Sequence, residues 1–108
     1  EEYGEKTYHP VGQATIRAVV YDNTDSLFLP CVYRIKEAKI LEGPQVRDIV
    51  EVVSYESLYD SLAHVGESIV VRGKLERIVD RKTSQGYHRI LVGSPEGKGR
   101  EYIKLTQE

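Results

Sequence analysis

The chain has 108 residues, of which 40% are hydrophobic and 30% are charged. That size suits one domain around a single core, and that balance is typical of folded rather than disordered proteins. No apolar run approaches the roughly 20 residues of a membrane-spanning helix, and Glu1 and Glu2 stand where a signal peptide would be basic and apolar. We therefore expect one soluble domain in the cytoplasm.

The cysteine and methionine content and the distribution of charge give expectations about the compartment, the extent of the chain and its partner. The single cysteine, Cys31, cannot form an internal disulfide, which fits a reducing compartment. The chain contains no methionine, so we expect a piece of a longer protein. Residues 1–71 carry six basic and twelve acidic side chains, whereas residues 72–108 carry nine and five. This basic second half indicates an anionic partner.

The first part of the chain is predicted to form a loose arm followed by a β-hairpin. Residues 1–10 show no regular pattern, and apolar residues then alternate through Gln13–Tyr21, as in a strand with one buried face. A polar turn follows, and alternation resumes from Leu27 to Ile35. Because Pro30 cannot donate a ladder hydrogen bond, this second strand is predicted at an edge or a bulge.

The middle of the chain predicts two strands separated by one short helix. Ile49–Tyr55 is rich in β-branched residues, and Ser54 could cap a helix that ends at Gly66. Ser68–Asp80 has the clearest alternation, with Arg72, Lys74 and Glu76 on the outer face. Gly73 within it predicts a bulge or sharp bend.

Two further strands complete the predicted fold, over Tyr87–Ser94 and Glu101–Leu105. About six strands joined by connections too short for parallel crossovers predict an all-β domain over residues 11–108. The expected architecture is a small closed or partly open antiparallel barrel, OB-like as the first choice, with one short helix.

Catalytic and metal-binding patterns are weak. Cys31 lies on the apolar face of its strand, which favours a core position. The histidines are too scattered for a metal site, and His88 alone stands near basic residues, although a surface role is favoured. Asp22 and Asp25 fit a polar turn better than a metal pair. Residues 93–99 contain glycines and a lysine, but no helix follows to make a phosphate loop.

The basic second half contains a possible nucleic-acid surface. Small barrels bind single strands by combining cations with aromatic side chains on which bases stack. The predicted binding residues are Arg72, Lys74, Arg89, Arg100, Tyr87 and Tyr102. The alternative is a solvated, non-binding face, because acidic residues are mixed among these cations.

Four segments together resemble the C-terminal region of archaeal predicted nucleotidyltransferases, which are similar in their N-terminal half to the DNA polymerase β superfamily. These segments are Leu27–Ile35, Val53–Tyr59, Gly66–Glu76 and Arg89–Ser94. The resemblance implies a parent enzyme that transfers a nucleotide from a triphosphate with two divalent metal ions. It also implies that the N-terminal catalytic domain of the same polypeptide is a partner of this region.

The catalytic signature of that superfamily is absent from this chain. It consists of a Gly-Ser pair followed by two carboxylates separated by one residue, and no such carboxylates follow Gly93 and Ser94. We therefore expect no catalytic residue and no cofactor or metal in this chain. The sequence predicts a non-catalytic accessory domain that positions a nucleic-acid or nucleotide substrate. The alternative is a protein–protein docking domain, using the strand around Pro30 and exposed tyrosines.

Overall fold

The computed structural model describes residues 6–24, 30–56, 59, 62–93 and 99–106. These residues form six β-strands and no α-helix, which confirms the all-β class. Within the same residues, no helix is long and apolar enough to cross a membrane. The strands are β1 (Lys6–Asp22), β2 (Cys31–Glu42), β3 (Ile49–Ser54), β4 (Ser68–Asp80), β5 (Gly86–Val92) and β6 (Tyr102–Leu105).

Five of these strands close into a ring. The sheet order is β1-β2-β3-β5-β4-β6, and a further pairing between β1 and β4 joins the ends of the ring. A ring of five strands is compatible with the predicted OB-like arrangement. The expectation of antiparallel pairing alone fails at one place, since β3 and β5 are parallel. No long crossover is needed there, because the chain returns through β4 between them.

The core fills the inside of the ring with alternate residues of the long strands. On β1, Ala14, Ile16 and Ala18 are at most 1% exposed. Ile69 and Val71 on β4 are completely buried, as the predicted alternation requires. Side chains at the intervening positions of both strands therefore point outward, where they are available to a partner.

Gly73 lies where β4 changes its partner strand. One edge of β4 pairs with β1 along its whole length. The other edge pairs with β5 through residues 74–79 and with β6 through residues 69–72. A Cβ atom on Gly73 would lie 2.6 Å from the Leu91 carbonyl oxygen and 2.7 Å from Ile90 Cγ2. The glycine lets β5 approach closely at this junction, at the position where the sequence predicted a bend.

Two other expectations need correction. Residues 6–10, predicted as part of a loose arm, are the start of β1 and pair with residues 76–80 of β4. Pro30 lies just before β2, which is not an edge strand because it pairs with both β1 and β3. The proline therefore leaves the ladder intact by standing outside it.

The predicted helix between Ser54 and Gly66 is not α-helical in its described residues. Ser54 ends β3, and its hydroxyl accepts a hydrogen bond from the Glu56 N–H. Tyr59 N–H donates to the Glu56 carbonyl and Leu62 N–H to the Tyr59 carbonyl, a spacing typical of a 3₁₀ turn. Positions 57–58 and 60–61, where the remainder of that prediction falls, lie outside the described residues.

The Tyr33 hydroxyl holds this connection against the core. It donates to the Tyr59 carbonyl over 2.7 Å and accepts from the N–H groups of Leu62, at 2.7 Å, and Ala63, at 3.2 Å. Tyr33 is completely buried on β2, so the bonds are shielded from water. One side chain thereby satisfies three backbone groups of a segment that lacks regular structure.

We expect Gly73→Ala to lower the free energy of unfolding by about 1–3 kcal/mol, because β5 would have to move away from the new methyl group. Urea denaturation followed by circular dichroism measures the change. Gly86→Ala is the matched control, since its Cβ would come no closer than 3.3 Å to another atom, the Ile78 carbonyl oxygen. Equal losses in the two variants would contradict the close-approach argument.

Tyr33→Phe should destabilise the domain by about 1–3 kcal/mol at neutral pH, because it removes three hydrogen bonds between the buried side chain and the backbone. Burial raises the pKa of Tyr33 above its usual value of 10.0. The stabilising hydroxyl is therefore fully effective below about pH 10 and is lost as pH rises further. Denaturation between pH 7 and 11 should show the wild-type advantage shrinking at the alkaline end. An advantage that is constant over this range would contradict the assignment.

Candidate nucleic-acid interface

Five of the six predicted binding residues lie on one outer surface, along β4 and its neighbours. Arg72 and Lys74 are on the outward face of β4, as predicted. Tyr102 of β6 is the register partner of Arg72, and Arg89 and Tyr87 of β5 are the register partners of Glu76 and Ile78. We call this surface the β4 strip, made of Arg72, Lys74, Arg89, Tyr87 and Tyr102. From residue 72 to residue 78 it extends about 20 Å.

Arg72 is held in place by two side chains of neighbouring strands. Its guanidinium donates to Thr15 Oγ1 over 2.8 Å and forms an ion pair with Glu42 at 3.2 Å. The Arg72 side chain is 30% exposed and that of Glu42 is 77% exposed. A solvent-exposed pair of this kind contributes little stability and can exchange Glu42 for another anion.

Glu76 connects two cations of the strip, and it was not among the predicted binding residues. It is 7% exposed, and its carboxylate accepts from Arg89 Nε over 2.8 Å. Lys74 Nζ lies 3.6 Å from the same carboxylate. Alternation correctly placed Lys74 and Glu76 on one face. The contact with Arg89 depends on the register between β4 and β5, which no local pattern encodes.

Aromatic rings lie at both ends of the strip. The Lys104 ammonium is 5.0 Å from the centre of the Tyr102 ring, and the Arg89 guanidinium is 5.0 Å from the centre of the Tyr8 ring. Tyr8 and Tyr87 flank Ile78, which is completely buried although it lies on the outer face of β4. Tyr8 is 52% exposed. It lies in the segment that was predicted as a loose arm and was therefore not among the predicted binding residues.

Arg100, the sixth predicted residue, lies outside the strands that carry the strip. It is exposed and precedes β6. The neighbouring Glu101 is nearly buried and accepts hydrogen bonds from Gln13 Nε2 and the Gly93 N–H, each over 2.7 Å. Glu101 therefore links the backbone just before β6 to β1 and to Gly93, which follows β5.

The remaining candidates behave as structural residues. Cys31 is completely buried, as predicted, and its thiol donates to the Tyr59 carbonyl at 3.5 Å. Asp22 accepts from the Thr24 N–H at 2.9 Å, and this bond is the main cause that lowers the pKa of its carboxyl. Asp25 lies outside the described residues. In the part of the chain that the structure describes, no three His, Cys, Asp or Glu side chains are placed to hold a metal ion.

We expect Glu76→Gln to lower the free energy of unfolding by about 1–3 kcal/mol, because it removes the charge from nearly buried bonds to Arg89 and Lys74. Urea denaturation measures this loss. Glu42→Gln is the matched control, since that carboxylate is largely exposed, and it should change stability by less than about 0.5 kcal/mol. A similar small effect for both variants would show that Glu76 is not the structural centre of the strip.

Comparisons with known proteins find one relative that is longer than this chain. No described family and no solved structure matches it. The chain is 39% identical over 107 residues to an uncharacterized protein of the archaeon Methanocaldococcus jannaschii. The alignment covers 99% of this chain but 29% of that protein. The chain is thus similar to one part of a longer archaeal protein, and it spans less than a third of that relative's length.

Proposed function

We propose that this OB-like domain is a non-catalytic accessory domain that positions a nucleic-acid or nucleotide substrate for another part of a longer polypeptide. The observation that carries the proposal is the β4 strip, in which three cations lie between tyrosines on the outer surface of a closed five-strand ring. On the resemblance described above, the longer polypeptide is a nucleotidyltransferase-like protein.

The composition of the strip fits a nucleic-acid backbone better than a folded protein partner. Arg72, Lys74 and Arg89 face the two carboxylates of Glu42 and Glu76, and Glu51 of β3 is a register partner of Arg89. Lys104 adds a further positive charge beside Tyr102. OB-folds commonly bind single strands through such cations together with rings on which bases stack.

The geometry indicates contact with phosphates and stacking rather than reading of the base sequence. The side chains of Arg89 and Lys74 are 20% and 19% exposed, and both are anchored by Glu76. Anchored cations present their charge at a defined place, which lowers the entropy lost on binding. Affinity for a strand should therefore depend strongly on salt and weakly on sequence.

Docking onto the rest of the longer polypeptide is the second candidate. Tyr21, Val65 and Leu105 are 49%, 60% and 39% exposed. The Gly66 N–H donates to the Val20 carbonyl, which brings Val65 near Tyr21. Leu105 pairs with Ile69 of β4, at the same end of the ring. Three exposed apolar side chains at one end favour a protein contact there.

The test is fluorescence anisotropy of the domain with labelled single-stranded and duplex RNA and DNA, at salt concentrations from low to near-physiological. Binding should weaken log-linearly with salt. The double variant Arg72→Ala/Lys74→Ala should bind more weakly, with a salt slope smaller by about 1.4 for single strands, since each lost phosphate contact contributes about 0.7. The loss should be similar for different base sequences.

The double variant Lys36→Ala/Lys39→Ala removes the same charge from β2, which is separated from β4 by β1. It should keep the wild-type salt slope. Equal losses in both double variants would show a non-specific charge effect and contradict the assigned surface. No binding at low salt would reject the nucleic-acid role and favour docking.

A further inference from the structure

A second basic cluster lies on the opposite side of β4 from the strip. His9 of β1 and His88 of β5 are both register partners of Arg77 on β4, so the three side chains form one row across three strands. Arg77 has the same orientation as Leu75, which is completely buried two residues along. The row therefore lies on the core-facing side, just beyond the end of the core, at the mouth of the ring.

The connection between β2 and β3 crosses this mouth and adds a fourth cation. Val46 packs against the core, and the next residue, Arg47, is exposed. The backbone carbonyls of Arg47 and Asp48 accept hydrogen bonds from His88 Nδ1, at 2.7 Å, and from the His88 N–H, at 2.8 Å. We call His9, Arg77, His88 and Arg47 the mouth cluster.

In each of the two histidines, a hydrogen bond through one ring nitrogen orients the imidazole, and the other ring nitrogen is left for a ligand. A carbonyl oxygen only accepts hydrogen bonds, so His88 Nδ1 carries the proton and Nε2 is left for a ligand. His9 Nε2 lies 3.1 Å from Thr7 Oγ1, which leaves Nδ1. The Arg77 guanidinium lies beside Gly86, with two nitrogens 3.6 Å from where a Cβ atom would be.

The cations of the strip pair with carboxylates, whereas those of the mouth cluster do not within the described residues. On the outer face, Glu76 lies between Lys74 and Arg89 and pairs with both. Within the described residues, no carboxylate pairs with Arg77, Arg47 or either histidine of the cluster. Neighbouring like charges on adjacent strands destabilise a sheet. A bound anion would supply the missing compensation.

We propose that the mouth cluster binds a phosphate group. Arginine presents planar pairs of N–H donors that match phosphate oxygens, and protonated imidazole adds charge-assisted hydrogen bonds. A single metal ion fits less well, because the two histidines are two strand spacings, about 10 Å, apart along the sheet. The mouths of β-barrels are frequent ligand sites. The phosphate can be free or at the end of a nucleic-acid strand.

This inference goes beyond the proposed function and does not depend on it, because the mouth cluster and the β4 strip lie on opposite faces of β4. A domain that fails to bind strands on the strip can still bind phosphate at the mouth. The converse also holds, so the two proposals can fail separately.

Asp48 and Glu37 are the acidic groups nearest the mouth. With Lys36 and Arg47 they line an adjacent open cavity of about 420 Å³. The charged and titratable groups around the site are His9, Lys36, Glu37, Arg47, Asp48, Arg77 and His88.

Titration of the domain with inorganic phosphate at constant ionic strength, followed by NMR signals of the histidine rings, tests the proposal. Phosphate should shift the His9 and His88 signals saturably at pH 5.5. Arg77→Gln should weaken this binding about tenfold or more, as the loss of a charge-assisted hydrogen bond predicts. Lys39→Gln on β2 is the matched control and should bind as the wild type does.

A second titration uses an oligonucleotide with and without a 5′-phosphate. Tighter binding of the phosphorylated strand that is lost in Arg77→Gln assigns the site to strand ends. Equal binding of both strands, with inorganic phosphate still bound, assigns it to free phosphate. Non-saturable shifts, or shifts that Arg77→Gln leaves unchanged, would overturn the proposal. Arg47→Gln, in the connection between β2 and β3 rather than on a strand, gives a second test should Arg77→Gln alter the fold.

Discussion

Closure of the ring depends on both edges of β4 being paired, and this depends on Gly73. One edge of β4 is covered by β1 throughout. The other edge pairs with β6 and then with β5, and the partner strand changes at Gly73, which lies close to the backbone of Leu91. Pairing on both sides leaves β4 no free edge, and it also determines which outward side chains of three other strands become its neighbours.

The charged side chains on the two faces of β4 differ in whether they are paired with opposite charges. On the outer face, the nearly buried Glu76 organises Lys74 and Arg89, so part of the positive charge there is structural. On the core-facing side beyond the core, Arg77 stands between two histidines. The same strand thus contributes a largely neutralised strip and an uncompensated basic cluster. This contrast gives two surfaces with different expected ligands, one extended and one compact.

Local patterns predicted most of the strands because alternation is a property of neighbouring residues. Ser68–Asp80 was predicted with its observed bounds and orientation. The errors occurred where a distant partner decided the outcome. Residues 6–10 are a strand because β4 is long enough to pair with them. The segment after Ser54 has a helical spacing of leucines, yet in its described residues its backbone groups bond to the buried Tyr33 hydroxyl.

By itself, the sequence determined the all-β class and the inward and outward faces of the strands. Each of these follows from the two-residue period of a β-strand. The tertiary structure decided which charges meet. The pairing of Arg89 with Glu76, and the row that joins His9, Arg77 and His88, depend on register between strands far apart in sequence. Register is set by ring closure and core packing, which no local pattern records.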